Sequence, residues 1–250
     1  MSTLNYSSHR TLGQSQYGKL AMALRERIVQ GEWAPGESIP SEQLLAQGYG
    51  VALGTIRQAL ALLVQDGVLQ RRHGKGTFVS KGVSGMPVMR FFRFSGFDEH
   101  SEPPSSLILS SRLRSSSATE ISAFGQDTHN SAPQVIQLER LRSFGQVPRL
   151  LETIVLPLPL FGSLAELATE LWDAQLYPMY QARCGVLIQH AQDSLSFSQL
   201  NGAQAKHLQL ASGHPCVLVE RQAFDLAGRC VELRTTRGDA HSFRYTAQIR

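Results

Sequence analysis

The chain has 250 residues, 42% of them hydrophobic, which is enough for one or two domains with cores of their own. Its net charge of +4 is unevenly spread. Lys and Arg outnumber Asp and Glu by eight to five up to Ser80 and by only sixteen to fifteen beyond it, so the basic excess lies where a polyanion would bind. The one apolar run of note, 154–161, is short and broken by Pro157 and Pro159, which excludes a membrane span. The opening MSTLNYSSHRTLGQSQ lacks the apolar core of a signal peptide. Cys184, Cys216 and Cys230 are odd in number and form no CxxC, the pattern of reduced thiols. A soluble, cytoplasmic protein is expected.

In chain order, residues 1–14 are polar and read as a flexible tail. Tyr17, Leu20, Ala21, Leu24 and Ile28 then form a helical stripe, ended by Trp33-Ala34-Pro35-Gly36. Pro40-Ser41 starts a second helix, with the Ser41 hydroxyl as cap, and Gly48 and Gly50 break it. A third helix buries Ile56, Ala59, Leu60, Leu63 and Val64, leaving Leu53, Gly54, Arg57 and Gln58 on its free face. Gly67 ends it. Val68-Leu69 opens a strand, Arg71-Arg72-His73-Gly74-Lys75-Gly76 makes a hairpin tip, and Thr77-Phe78-Val79 returns. Two short helices around a glycine turn, followed by a basic hairpin, is the layout of a winged helix-turn-helix that reads DNA, here over 15–80.

Residues 81–88 are small and flexible in composition and read as a linker. The remainder, 89–250, alternates strands with short helices. Strands are predicted at 88–94, 106–113, 135–143, 150–156, 191–200, 217–225, 230–237 and 243–249, and helices at 118–124, 164–174, 176–184 and 202–210. Hairpins around Gly145 and Gly228 dominate, so the fold class is α+β, with a mainly antiparallel sheet. A weak internal repeat pairs Glu139-Arg140…Glu152 with Glu220-Arg221…Glu232, suggesting two related hairpins.

Alternation along a strand puts Ile136, Leu138, Arg140 and Arg142 on one face. Glu152 shares its face with Leu150, Ile154 and Leu156, and Glu232 with Arg234. Charges recurring on one side of a sheet suggest either a polar pocket in an apolar wall or a few buried or edge salt bridges.

The run from Pro40 to Val79 resembles the DNA-binding domain of the GntR superfamily of bacterial transcription regulators. The match includes Pro40-Ser41-Glu42, Thr55-Ile56-Arg57-Gln58 and His73-Gly74-Lys75-Gly76-Thr77-Phe78-Val79. It departs at Gln43, where the family usually has arginine, and at Ala52-Leu53, where it usually has Ser-Arg. The resemblance implies DNA contacts from Ser41, Gln43, Ala52, Leu53, Thr55, Arg57, Gln58, Arg72, His73, Gly74, Lys75 and Gly76. From Met89 onward the chain is similar to the UTRA effector domain of the HutC branch, which has a chorismate-lyase-like fold. The residues that carry this are 138–142, Leu151-Glu152, Leu176-Tyr177, 231–234, 237–239 and 243–245. The resemblance implies an effector anion at Arg140 and Arg142, polar groups at Glu152 and Glu232, and a further contact at Tyr177. Arg234 joins them because it shares a face with Glu232. Gln175 and Gly96-Phe97-Asp98 replace hydroxyl-bearing positions of phosphosugar-binding members.

No nucleophile motif frames the serines, and the eight histidines lack HxH or HExxH spacing, so no metal site is expected. Gly74-Lys75-Gly76-Thr77 is followed by a strand and is not a phosphate loop. No cofactor is expected. The expected partners are double-stranded operator DNA at an inverted repeat, a second copy of the chain and a small anionic metabolite that releases a repressor; no membrane partner is expected. The alternative is an enzyme of the lyase fold acting on a small carboxylate.

Overall fold

Three helices form where the sequence supplies both a cap and an apolar stripe. In the computed structural model, which describes residues 15–81, 92–94, 104–127 and 132–245, α1 spans Gln16–Val29 behind the cap Ser15. The second helix, α2, spans Glu42–Tyr49, and Ser41 Oγ accepts from the Leu44 N–H at 3.3 Å. It stops at Gly50, whose φ of 63° lies in the left-handed region that glycine enters without strain. The third, α3, covers Leu53–Gln65 and buries Ile56, Ala59, Leu60 and Leu63. Each such fully buried leucine or isoleucine contributes about 1.5–3 kcal/mol. Val64 and Tyr17 lie half-buried at the edges of their stripes. Strands β1 (Leu69–Arg72) and β2 (Gly76–Val79) pair antiparallel as the wing.

The chain divides into two compact units, 1–82 and 83–250. In the second, β4 (Ser105–Ser115), β5 (Gln134–Phe144), β6 (Val147–Pro157), β7 (Ile188–Gln199), β8 (Pro215–Asp225) and β9 (Cys230–Asp239) form one sheet. Its order is β4-β5-β6-β9-β8-β7, and every neighbouring pair is antiparallel. The two hairpins therefore meet at the centre, β6 against β9. Three helices accompany the sheet: α4 (Ala118–Phe124), α5 (Leu176–Cys184) and α6 (Gly202–Leu208). The larger core joins Ile136, Leu138, Ile154, Leu156 and Val231 of the sheet to Leu176, Met179 and Tyr180 of α5. On the opposite side of β6, Leu151 packs with Ala205 and Leu208 of α6.

Two expected elements differ. The helix expected over 164–174 is a pair of 3₁₀ turns, Gly162–Leu164 and Thr169–Leu171, separated by extended Ala168 (φ −59°, ψ 144°). Its apolar residues have helical spacing, but breaking the helix lets Leu164 and Trp172 both enter the core while Leu171 stays 57% exposed. Packing overrides propensity here. The closing strand is β10 (Phe243–Tyr245), which pairs with β3 (Phe92–Phe94) rather than with the main sheet. The tail 1–14, linker residues 82–88, residues 96–98 and the last part of the expected closing strand lie outside the described residues.

Candidate functional sites

In the first unit, the residues expected to meet DNA fall on the start of α2, the exposed side of α3 and the wing. Ser41 and Gln43 are exposed at the α2 N-terminus, and Ala52, Arg57 and Gln58 are exposed on α3, with Leu53 and Thr55 partly covered. Ala52 is the α3 cap, but its methyl group offers no hydrogen bond to the helix amides. Arg72, His73, Gly74, Lys75 and Gly76 are all exposed. Gly74 (φ 70°) and Gly76 (φ 109°) make the tight tip possible. Alternation sends the two wing arginines to opposite faces. Arg72 stacks its guanidinium 4.4 Å over the Phe78 ring, while Arg71 reaches the other way.

A contact the sequence reading did not include ties these parts together. Glu42 Oε2 accepts from Arg57 Nε at 2.8 Å, and Glu42 Oε1 accepts from Arg71 Nη2 at 3.5 Å. Nothing in the linear spacing of residues 42, 57 and 71 announces it.

In the second unit, the sheet register gathers the charged residues on the face covered by α5. Arg140 of β5 stands directly opposite Glu152 of β6, and Glu152 opposite Thr236 of β9. Arg140 Nε donates to Glu152 Oε2 at 2.6 Å, with both side chains almost wholly buried. Arg234 bridges the two glutamates, with Nη2 2.8 Å from Glu232 Oε2 and Nη1 3.6 Å from Glu152 Oε1. From α5, the Tyr180 and Tyr177 hydroxyls donate to Glu232 at 2.9 and 3.3 Å. Arg221 donates from Nη1 to the Tyr177 oxygen at 3.4 Å and from Nε and Nη2 to the two oxygens of Asp193 at 2.6 Å.

Of the six residues expected at an effector site, Arg140, Glu152, Tyr177, Glu232 and Arg234 are joined by these contacts, and Arg142, two residues beyond Arg140 on β5, acts on Glu152, Arg140 and Arg234 through its charge alone. Tyr180, Arg221, Asp193 and Thr236 belong to the same face as well. Two of these additions had a signal. Tyr180 sits one helical turn from Tyr177, and Arg221 is the counterpart of Arg140 in the internal repeat.

Charge is out of balance on this face. Four arginines (Arg140, Arg142, Arg221, Arg234) meet three carboxylates (Glu152, Glu232, Asp193), and each carboxylate is already engaged by side-chain donors. Among the described residues, Arg142 is the one of the four without an ion pair. Its Nε is buried and has no hydrogen-bond partner, as is the Nε of Arg234. Burial pulls Arg142 down to about 10, helped by Arg140 and Arg234 and opposed by Glu152. Burial pushes Glu152 up, but Arg140, Arg234 and Arg142 outweigh it and hold the carboxyl at about 2. Tyr177 is raised to about 12, first by burial and then by Glu232. The face is therefore a set of fixed ions with two unpaired buried donors, the Nε atoms of Arg142 and Arg234. Guanidinium donors of this kind have the geometry and charge to pair with a carboxylate or phosphate.

His214, Asp239 and His241 form a separate cluster at the end of β9. Asp239 Oδ1 accepts from the His241 backbone N–H at 2.9 Å and lies 2.7 Å from His214 Nε2. That carboxylate oxygen caps the turn leaving β9. No helix among the described residues is long and apolar enough to cross a membrane.

Comparison with known proteins agrees with this two-part architecture. Residues 16–79 match the bacterial regulatory proteins of the gntR family, and residues 100–244 match the UTRA domain. The HTH-type transcriptional repressor NagR of Bacillus subtilis is 27% identical over 230 residues, covering 91% of this chain and 92% of that protein. The mannosyl-D-glycerate transport/metabolism system repressor MngR of Escherichia coli is 31% identical over 155 residues, 59% of this chain and 61% of that one. Among solved structures, PhnF from Mycobacterium smegmatis superposes with a TM-score of 0.53 at 23% identity. It covers 92% of this chain and 99% of that one, a likeness of fold.

Proposed function

Because the chain belongs to the GntR family and carries a UTRA domain, it is a DNA-binding transcriptional regulator and not an enzyme, and we propose that a small anionic metabolite sets its DNA affinity. The observation that carries this reading is Arg142, a half-buried arginine whose Nε is buried without a hydrogen-bond partner and which forms no ion pair with a carboxylate among the described residues. A cation in that position is unfavourable when the pocket is empty, and a carboxylate or phosphate relieves the cost by pairing with it. Arg140 and Arg234 flank the anion. Glu152 and Glu232 act on it at one remove, by fixing those two guanidiniums, and Tyr177 closes the site from α5. The anion is rich in acceptors, because the spare atoms of the pocket are donors.

The protein acts in the cytoplasm as a homodimer on an inverted repeat, since two-fold protein symmetry maps onto a palindromic site. NagR and MngR are repressors by name. The same role here means that the anion lowers operator affinity and relieves repression. For this to work, the anion must bind the DNA-released form better than the DNA-bound form, by several kcal/mol for a near-complete switch.

The test is a thermal-shift screen of the full chain against small carboxylates and phosphate esters, followed by calorimetry on the hit. Arg142→Leu is expected to weaken the hit at least about tenfold, the scale of a charged hydrogen bond. Equal affinity in wild type and Arg142→Leu would place the anion elsewhere.

A further inference from the structure

Glu42 is an acidic residue among groups expected to meet a polyanion. It occupies the first position of α2, directly after the cap Ser41. Its two oxygens take different arginines from different elements, Arg57 of α3 at 2.8 Å and Arg71 of β1 at 3.5 Å. A surface built only to neutralise phosphates gains nothing from this carboxylate, which cuts the local charge of the pair from two to one.

The contact does fix a direction. Glu42 holds Arg57 by Nε, and the two terminal nitrogens of Arg57 make no hydrogen bond among the described residues. That free edge is the planar fork that spans O6 and N7 of guanine in the major groove. We infer that Glu42 is a positioning residue for sequence reading: it aims the terminal edge of Arg57 at a base and, by its charge, disfavours binding to phosphates at random. It thereby supplies discrimination at a cost in raw affinity. Arg71, held by the same carboxylate, links the wing to this alignment.

The experiment uses the full chain and a consensus duplex obtained by selection from a randomised duplex library, with a scrambled duplex of the same composition as the non-specific probe. For Glu42→Gln, affinity for the scrambled duplex rises several-fold, and its log–log salt dependence steepens by about one counterion. The consensus-to-scrambled ratio falls about tenfold, within the discrimination of one bidentate arginine–guanine contact. Glu42→Asp keeps the charge but is one methylene too short to hold both arginines, so it lowers the ratio while leaving the salt slope unchanged. It also stands in should the glutamine variant fold poorly. Both effects on the ratio vanish in an Arg57→Ala background. A purely structural Glu42 gives the opposite pattern. Consensus and scrambled affinities would then change by the same factor, or the effects would persist without Arg57, and either result overturns the assignment.

Discussion

Arg221 and Arg234 stand directly opposite one another on the β8–β9 ladder, two cations on the same covered face. Like charges in that position repel. The pair is tolerated because Asp193 grips Arg221 with both oxygens and Glu232 takes Arg234 at 2.8 Å. Removing one anion exposes the conflict. Glu232→Leu is expected to lower unfolding free energy by about 3–5 kcal/mol, the usual cost of leaving a buried charge unpaired. Urea denaturation followed by circular dichroism measures it.

Arg142 predicts the opposite sign. Its guanidinium sits below its ordinary pKa of 12.5, at about 10, so at neutral pH the folded protein carries a charge that burial opposes. Arg142→Leu should therefore raise the stability of the ligand-free protein by roughly 1 kcal/mol, as apolar replacements of poorly compensated buried ions often do. The same variant loses anion binding. Denaturation with and without the anion separates the two effects.

Acid should weaken the fold through Glu152. Folded, its carboxyl is held at about 2; unfolded, it returns to the ordinary 4.5. The stability this supplies is complete above 4.5 and disappears as pH falls from 4.5 towards 2. Glu152→Gln lowers the plateau but flattens the decline across that window. Some acid sensitivity persists, because Glu120 is held at about 2 by Arg114 in the same way. Unfolding free energy measured between pH 2 and 6 for both proteins reports the difference.

Ala52 offers a gain. It caps α3 in extended geometry (φ −64°, ψ 145°) yet gives the helix no side-chain acceptor. Ala52→Ser is expected to stabilise the first unit by about 1 kcal/mol, the typical worth of a serine cap. Thermal unfolding of wild type and variant measures the gain.

Much of this was legible in the sequence because it is local. The α3 stripe, the cap Ser41, the glycines of the wing and the alternation that puts Arg140, Glu152 and Arg234 on covered faces all follow from spacing within one element. What escaped depends on contacts across elements. Glu42 meets Arg57 and Arg71 only because α2, α3 and β1 converge. Asp193 meets Arg221 only through the β7–β8 register. The 164–174 segment shows the converse, a local helical pattern overruled by the distant core that takes Leu164 and Trp172. Arg221 lay between these cases. The internal repeat aligned it with Arg140, but four residues turn the second hairpin and a bulge follows Ala223, so it opposes Arg234 rather than Glu232.

Coupling between the anion and DNA is read from the affinity of the full chain for its selected operator duplex, by fluorescence anisotropy, as the identified anion is titrated in. It is made on wild type and on the Arg140→Ala, Arg142→Ala double variant. Wild type should release the duplex as the pocket fills, while the double variant keeps its operator affinity at every anion concentration. Operator affinity that stays constant in wild type with the anion fully bound would contradict the account.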